Sequence, residues 1–91
     1  MENQQYTMTV ERYRPQFDDW AENKHTGTLE KLKEIFSYTI ECGREYMHED
    51  GALPVKRIEN ISDIYELEEA LNNASHNSCR GEPNNYYAEL L

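Results

Sequence analysis

The chain has 91 residues, enough for one domain and not for two, and at that length it buries only roughly 60–65% of the surface its unfolded form exposes. Nine Lys and Arg against 18 Asp and Glu give a formal charge of −9. The length argues against a deep, enclosed substrate pocket. The charge argues against plain binding of nucleic-acid phosphates or anionic headgroups, which an acidic field repels. Such a surface suits basic protein partners, or serves only solubility.

The start, Met1-Glu2-Asn3-Gln4-Gln5, is polar and no apolar stretch follows it, so no secretory signal is expected. No apolar run reaches the about 20 residues needed to span a bilayer. Cys42 and Cys79 are too few for a disulfide framework, and reduced thiols in a cytoplasmic protein are the expectation. In that compartment Asn60-Ile61-Ser62 and Asn73-Ala74-Ser75 match the glycosylation pattern by chance.

Residues 6–13 alternate, with Tyr6, Met8 and Val10 on one face and Thr7, Thr9 and Glu11 on the other. The period predicts a half-buried strand, ended by Pro15. Residues 15–27 read as a loop, with at most one helical turn at 18–21. Trp20 in it either packs over the core edge or stands out as an aromatic anchor for a partner. Across residues 28–47, Leu29, Leu32, Ile35, Phe36, Thr39, Ile40, Gly43, Tyr46 and Met47 recur at spacings of three and four. This predicts one long helix capped by Thr28. Gly43 would then need a reason, either close approach of another backbone or an early helix end near Cys42.

Asp50-Gly51 signals a turn. Val55 and Ile58 suggest short extended structure, confined by Pro54 to a sheet edge or a loop. Residues 62–77 predict a second helix, capped by Ser62, with Ile64, Leu67, Leu71 and Ala74 as its apolar face. Residues 84–91 read as a final strand pairing antiparallel with residues 6–13, or as continued helix. The fold expected is α+β: a small antiparallel sheet of N- and C-terminal strands, with two helices packed on one face.

Chemistry-bearing patterns are sparse. His76 and Cys79 have tolerable metal spacing, but Cys42 and His48 on one helix point about 120° apart, so no metal site and no stoichiometric zinc are expected. Cys42 lies far from a helix N-terminus. Cys79, near His76 and Arg80, lacks an orienting third group, so thiol catalysis is not expected. The pairs Glu30/Glu34 and Glu41/Glu45 read as solvated helix face. Gly27, Gly43, Gly51 and Gly81 form no phosphate cradle. The chain therefore reads as a non-enzyme with no cofactor.

Two surface readings remain. Glu59, Asp63, Glu66, Glu68 and Glu69 are the densest acidic segment, with no Lys or Arg between Arg57 and Arg80. Asp63, Glu66 and Glu69 on successive turns form a carboxylate row of roughly phosphate-like spacing, about 5–6 Å. With Trp20 they are the candidate contacts for a basic protein partner. The alternative is nucleic-acid binding through Arg12, Arg14, Lys56 and Arg57, with Tyr6 and Tyr13 as stacking platforms.

The stretch Ser37-Tyr38-Thr39-Ile40-Glu41-Cys42-Gly43, with Tyr46, His48-Glu49 and Gly51 after it, resembles small uncharacterised proteins of phages and conjugative elements, as does Leu71-Asn72-Asn73-Ala74 with Asn77. The resemblance implies a mobile-element origin and no known activity. The expected function is that of an accessory factor whose acidic helix face binds, and in the sharpest version inhibits, a host nucleic-acid-handling or defence protein.

Overall fold

A computed structural model describes residues 4–48, 50, 53–78 and 82–91, with Ser78 described by its backbone. In chain order it contains β1 (Tyr6–Arg14), β2 (Asp19–Gly27), α1 (Leu29–Ile35), β3 (Ser37–Glu41), β4 (Arg44–Tyr46), β5 (Leu53–Pro54), α2 (Val55–Ile58), α3 (Ile64–Ser78) and β6 (Asn85–Leu90). The fold is α+β. Its main sheet is antiparallel, in the order β2-β1-β6, so the N- and C-terminal strands are neighbours as expected. A smaller sheet has the order β4-β3-β5.

The alternation in β1 sets the core. Met8 and Val10 are fully buried, and register places them beside His25 and Asn23 of β2 and Ala88 and Tyr86 of β6. Against that face pack Leu32 and Phe36 from α1 and its end, Leu53, Ile58 and Ile61, and Ile64, Leu67, Ala70 and Leu71 from α3. Each large side chain removed from water contributes about 1.5–3 kcal/mol. Lys33 is buried among these elements, and its ammonium donates to the Ile61 carbonyl at 2.8 Å.

Residues 15–27 are a strand hairpin and not a loop. Pro15 sits second in a tight turn closed by Phe17 N–H to the Arg14 carbonyl at 3.1 Å, and Asp18 takes φ 50° to turn the chain back. The returning strand hides its period because its inward residues include Asn23 and His25, where an apolar alternation was sought.

The long helix expected over 28–47 is also corrected. Thr28 does cap α1, its hydroxyl accepting from Lys31 N–H at 3.2 Å, but the helix stops at Ile35. Ser37-Tyr38-Thr39-Ile40 is rich in β-formers and enters β3. Cys42 and Gly43, with φ of 53° and 78°, make a two-residue turn into β4, the geometry that matches strand twist. The spacing-three-and-four stripe therefore splits: Leu32 and Phe36 are buried, while Ile40, Tyr46 and Met47 stand exposed on or beside the hairpin.

Pro54 does lie at a sheet edge, but Val55–Ile58 coil into one helical turn instead of extending. The second helix appears as expected, with its cap moved by one residue. Asp63 Oδ1 accepts from Tyr65 N–H at 2.9 Å, while Ser62 N–H donates to Glu66 Oε2 at 3.4 Å. Side chains of α3 then close the outer edge of β6. Asn72 donates to the Tyr86 carbonyl at 2.9 Å and accepts from Tyr86 N–H at 2.8 Å, and Glu68 accepts from Ala88 N–H at 2.6 Å. The Cys79 reading lies outside the described residues.

The turn gives a direct test. A Cβ at Gly43 meets nothing within 4 Å, so Gly43→Ala pays only for its left-handed backbone. Urea unfolding should show a loss of about 1 kcal/mol, and an unchanged midpoint would contradict the turn.

Candidate functional site

Asp50 is a carboxylate that is 1% exposed. An ionised group at such depth persists only when it is paired and hydrogen-bonded, and strands β1 and β2 supply the partners. His25 Nε2 lies 2.6 Å from Asp50 Oδ2. Asn23 Nδ2 donates to Oδ1 at 3.0 Å and to Oδ2 at 3.2 Å. Arg12 Nε lies 3.1 Å from Oδ1. Register explains the convergence. Arg12, Asn23 and His25 all project from the inward face of the β1–β2 pair.

His48 completes the cluster. Its Nδ1 accepts from the Asp50 backbone N–H at 3.1 Å, which leaves the single proton of a neutral ring on Nε2. The His48 ring stands edge-on to His25, with centroids 5.2 Å apart, and both contact the fully buried Phe36 ring at 5.9 and 5.3 Å. Phe36 in turn meets Tyr86 at 6.1 Å. Burial pushes the Tyr86 hydroxyl above its ordinary pKa. The result is a small polar cluster over an aromatic floor.

The electrostatics are finely opposed. Burial pushes the Asp50 carboxyl up, but the hydrogen bonds from His25 and Asn23 and the Arg12 charge outweigh it, and its pKa lies below the ordinary carboxylate range. Arg12 Nε is buried yet makes no aligned hydrogen bond among the described residues, despite its ion-pair distance to Oδ1. One ring nitrogen from each of His25 and His48 and one Asp50 oxygen lie within 4.8 Å of one another, the donor set of a metal site.

The residues singled out from sequence fall elsewhere, with two exceptions. Arg12 and His48 belong to this cluster. Arg12 reads from sequence as a nucleic-acid contact, and His48 reads as a poor ligand only if one helix runs through Cys42, a condition that the end of α1 at Ile35 removes. Asp63 holds the α3 cap. Glu66 and Glu69 are exposed along α3, bordering a shallow cleft whose other wall includes Arg57 and Asn60. Trp20 is 44% exposed and edge-on to Tyr13 at 5.4 Å, on the sheet face opposite the helices, so the core-edge reading does not hold. Arg14 makes a paired contact with Asp19 at 2.8 and 2.7 Å and lies over the Phe17 ring. Lys56 and Arg57 stand exposed on α2. Cys42 is exposed at the hairpin turn, and His76 Nε2 lies 3.2 Å from the Asn85 amide oxygen.

Asn23, His25 and Asp50 escaped the sequence reading. The available signal was the alternation of charged Glu22 and Lys24 with uncharged Ala21, Asn23 and His25, which marks a strand with one polar inner face. Among the described residues no helix is long and apolar enough to cross a membrane. Compared with protein-family models, curated proteins and solved structures, the chain finds no match.

The lowered Asp50 pKa fixes a pH dependence. A carboxyl depressed on folding contributes stability that is fully present above its unfolded value of about 3.9. That contribution is lost as pH falls through the folded value. In buffer containing a chelator, urea unfolding of the wild type should therefore weaken more steeply below about pH 4 than that of Asp50→Asn. Near pH 7 the Asp50→Ala variant should lose about 2–4 kcal/mol, because it strands Arg12 and His25. Parallel pH profiles for wild type and Asp50→Asn would remove Asp50 as a titrating anchor.

Proposed function

We propose that this protein is a small acidic binding factor of a phage or other mobile element, which engages a basic protein partner through the exposed face of α3. The observation that supports the reading is the state of Glu66 and Glu69. Both carboxylates are exposed on adjacent turns, and neither is ion-paired among the described residues. Ile64, Leu67 and Leu71 anchor the other side of the same helix in the core. A rigid, uncompensated acidic row on a chain of net charge −9 attracts cationic partners and speeds their association.

The nucleic-acid alternative draws less support. Arg12 and Arg14 are held by Asp50 and Asp19, which leaves Lys56 and Arg57 to carry it. Inhibition of a host nucleic-acid-handling enzyme is the form of partner binding that the carboxylate row favours. Its spacing resembles a phosphate run.

The test reverses the two exposed acids and spares the Asp63 cap. Glu69→Lys should leave stability within about 0.5 kcal/mol. Glu66→Lys gives up the Ser62 hydrogen bond and should cost about 0.5–1 kcal/mol, still less than adding Asp63→Lys, which loses the cap as well. Proteins captured from host lysate by the wild type, identified by mass spectrometry, should be missing from the reversed variant. The purified partner should associate about 10-fold or more slowly with the variant, and more slowly with the wild type as salt rises. Equal capture at equal rates by a folded variant would reduce the acidic row to solvated surface.

A further inference from the structure

We propose that His25, His48 and Asp50 form a binding site for a divalent transition-metal ion, with zinc as the occupant that the donors suit. The proposal stands apart from the acidic face of α3 and does not depend on it. Two imidazole nitrogens and one carboxylate oxygen are the borderline donors that such an ion prefers over calcium or magnesium, which take oxygen alone.

The donor atoms are already gathered. They lie within 4.8 Å of one another. Tetrahedral zinc with bonds of about 2.0–2.1 Å sets its ligands about 3.3 Å apart. Binding therefore opens the 2.6 Å contact between His25 Nε2 and Asp50 Oδ2, where the metal takes the place of the proton, and draws the wider-spaced donors inward from within 4.8 Å. His25 then carries its one proton on Nδ1. His48 offers Nδ1, which exchanges its hydrogen bond from the Asp50 backbone N–H for the ion. The three residues fill three positions, and His25, with 20% of its side chain exposed, leaves the fourth within reach of solvent.

The surroundings act on the ligands as metal sites require. Asn23 donates most closely to Oδ1 and so turns Oδ2 toward His25. Carboxylate partners of that kind tune affinity by about 10–100-fold. Phe36 walls the rings from beneath. Arg12 is the one opposing element. Its cation neutralises Asp50 in the metal-free cluster and repels an incoming ion, so its Nε, buried without an aligned bond, is set against the metal. This gives the site a signature that scattered surface binding lacks.

The experiment is titration of the chelator-stripped full chain with Co(II), read by ligand-field absorption, and with Zn(II), read by calorimetry. One ion per chain and an intense tetrahedral cobalt spectrum are expected. His48→Ala, whose ring is less enclosed than the Asp50 carboxylate, should weaken zinc by more than about 100-fold while the circular dichroism stays unchanged. Asn23→Ala should weaken it by about 10-fold or more, Arg12→Gln should tighten it, and His76→Ala should leave it unchanged. A wild-type chain that gives no tetrahedral cobalt spectrum overturns the proposal without recourse to any variant. So does zinc binding that survives His48→Ala or is lost on His76→Ala, since the ion then sits elsewhere.

Discussion

The burial of the Asp50 carboxylate is the constraint on which much of this structure depends. Water would solvate that charge far better than the interior does, so its position is tenable only because three side chains of one hairpin face reach it. Asn23 and His25 are two apart on β2, and antiparallel register brings Arg12 of β1, opposite Ala21, beside them on the same face. The chain after β4 is thereby fastened to the main sheet through side chains, where apolar contact is thin. The smaller sheet, attached through β5 and Phe36, inherits its placement from the same anchor.

A second fastening operates at the other margin of the sheet. An edge strand presents alternate backbone groups with no partner, and β6 meets that requirement with α3. The amide of Asn72 imitates a neighbouring strand, one donor and one acceptor against Tyr86, and Glu68 takes the next outward N–H at Ala88. Helix and strand are thus held by polar groups of defined direction as well as by Leu67 and Leu71 beneath them. That division explains why one acid in the densest acidic stretch, Glu68, is structural while Glu66 and Glu69 face outward.

Where local pattern and global fold agree, the sequence was transparent. The alternation in β1, the apolar face of α3 and the terminal strand were legible because each buries an apolar side against one core. Two segments were opaque for definite reasons. In β2 the inward positions hold Asn23 and His25, so a search for apolar period saw a loop where polarity marked an interior site. Over 28–47 the spacing of Leu32, Phe36, Ile40 and Tyr46 imitated a helix, although β-branched and aromatic residues from Tyr38 onward favoured strand and Cys42-Gly43 a tight turn. The site itself joins residues 12, 23, 25, 48 and 50. Only the hairpin register, which no short motif encodes, makes neighbours of them.

The closure of β6 also decides how copies of this chain can meet. With the outward N–H groups of Tyr86 and Ala88 and the Tyr86 carbonyl taken by α3 side chains, the main sheet is more open to further strand pairing at β2. There alternate side chains are Glu22 and Lys24, exposed and separated by 3.9 Å. An antiparallel neighbour added at that edge would bring charges of its own against this pair, and would do so between molecules that each carry a net charge of −9. Sheet growth from one molecule to the next is thus opposed on one side by hydrogen bonds already made and on the other by charge. A small protein with an open-faced sheet gains from this a barrier to polymerisation that its modest core does not provide.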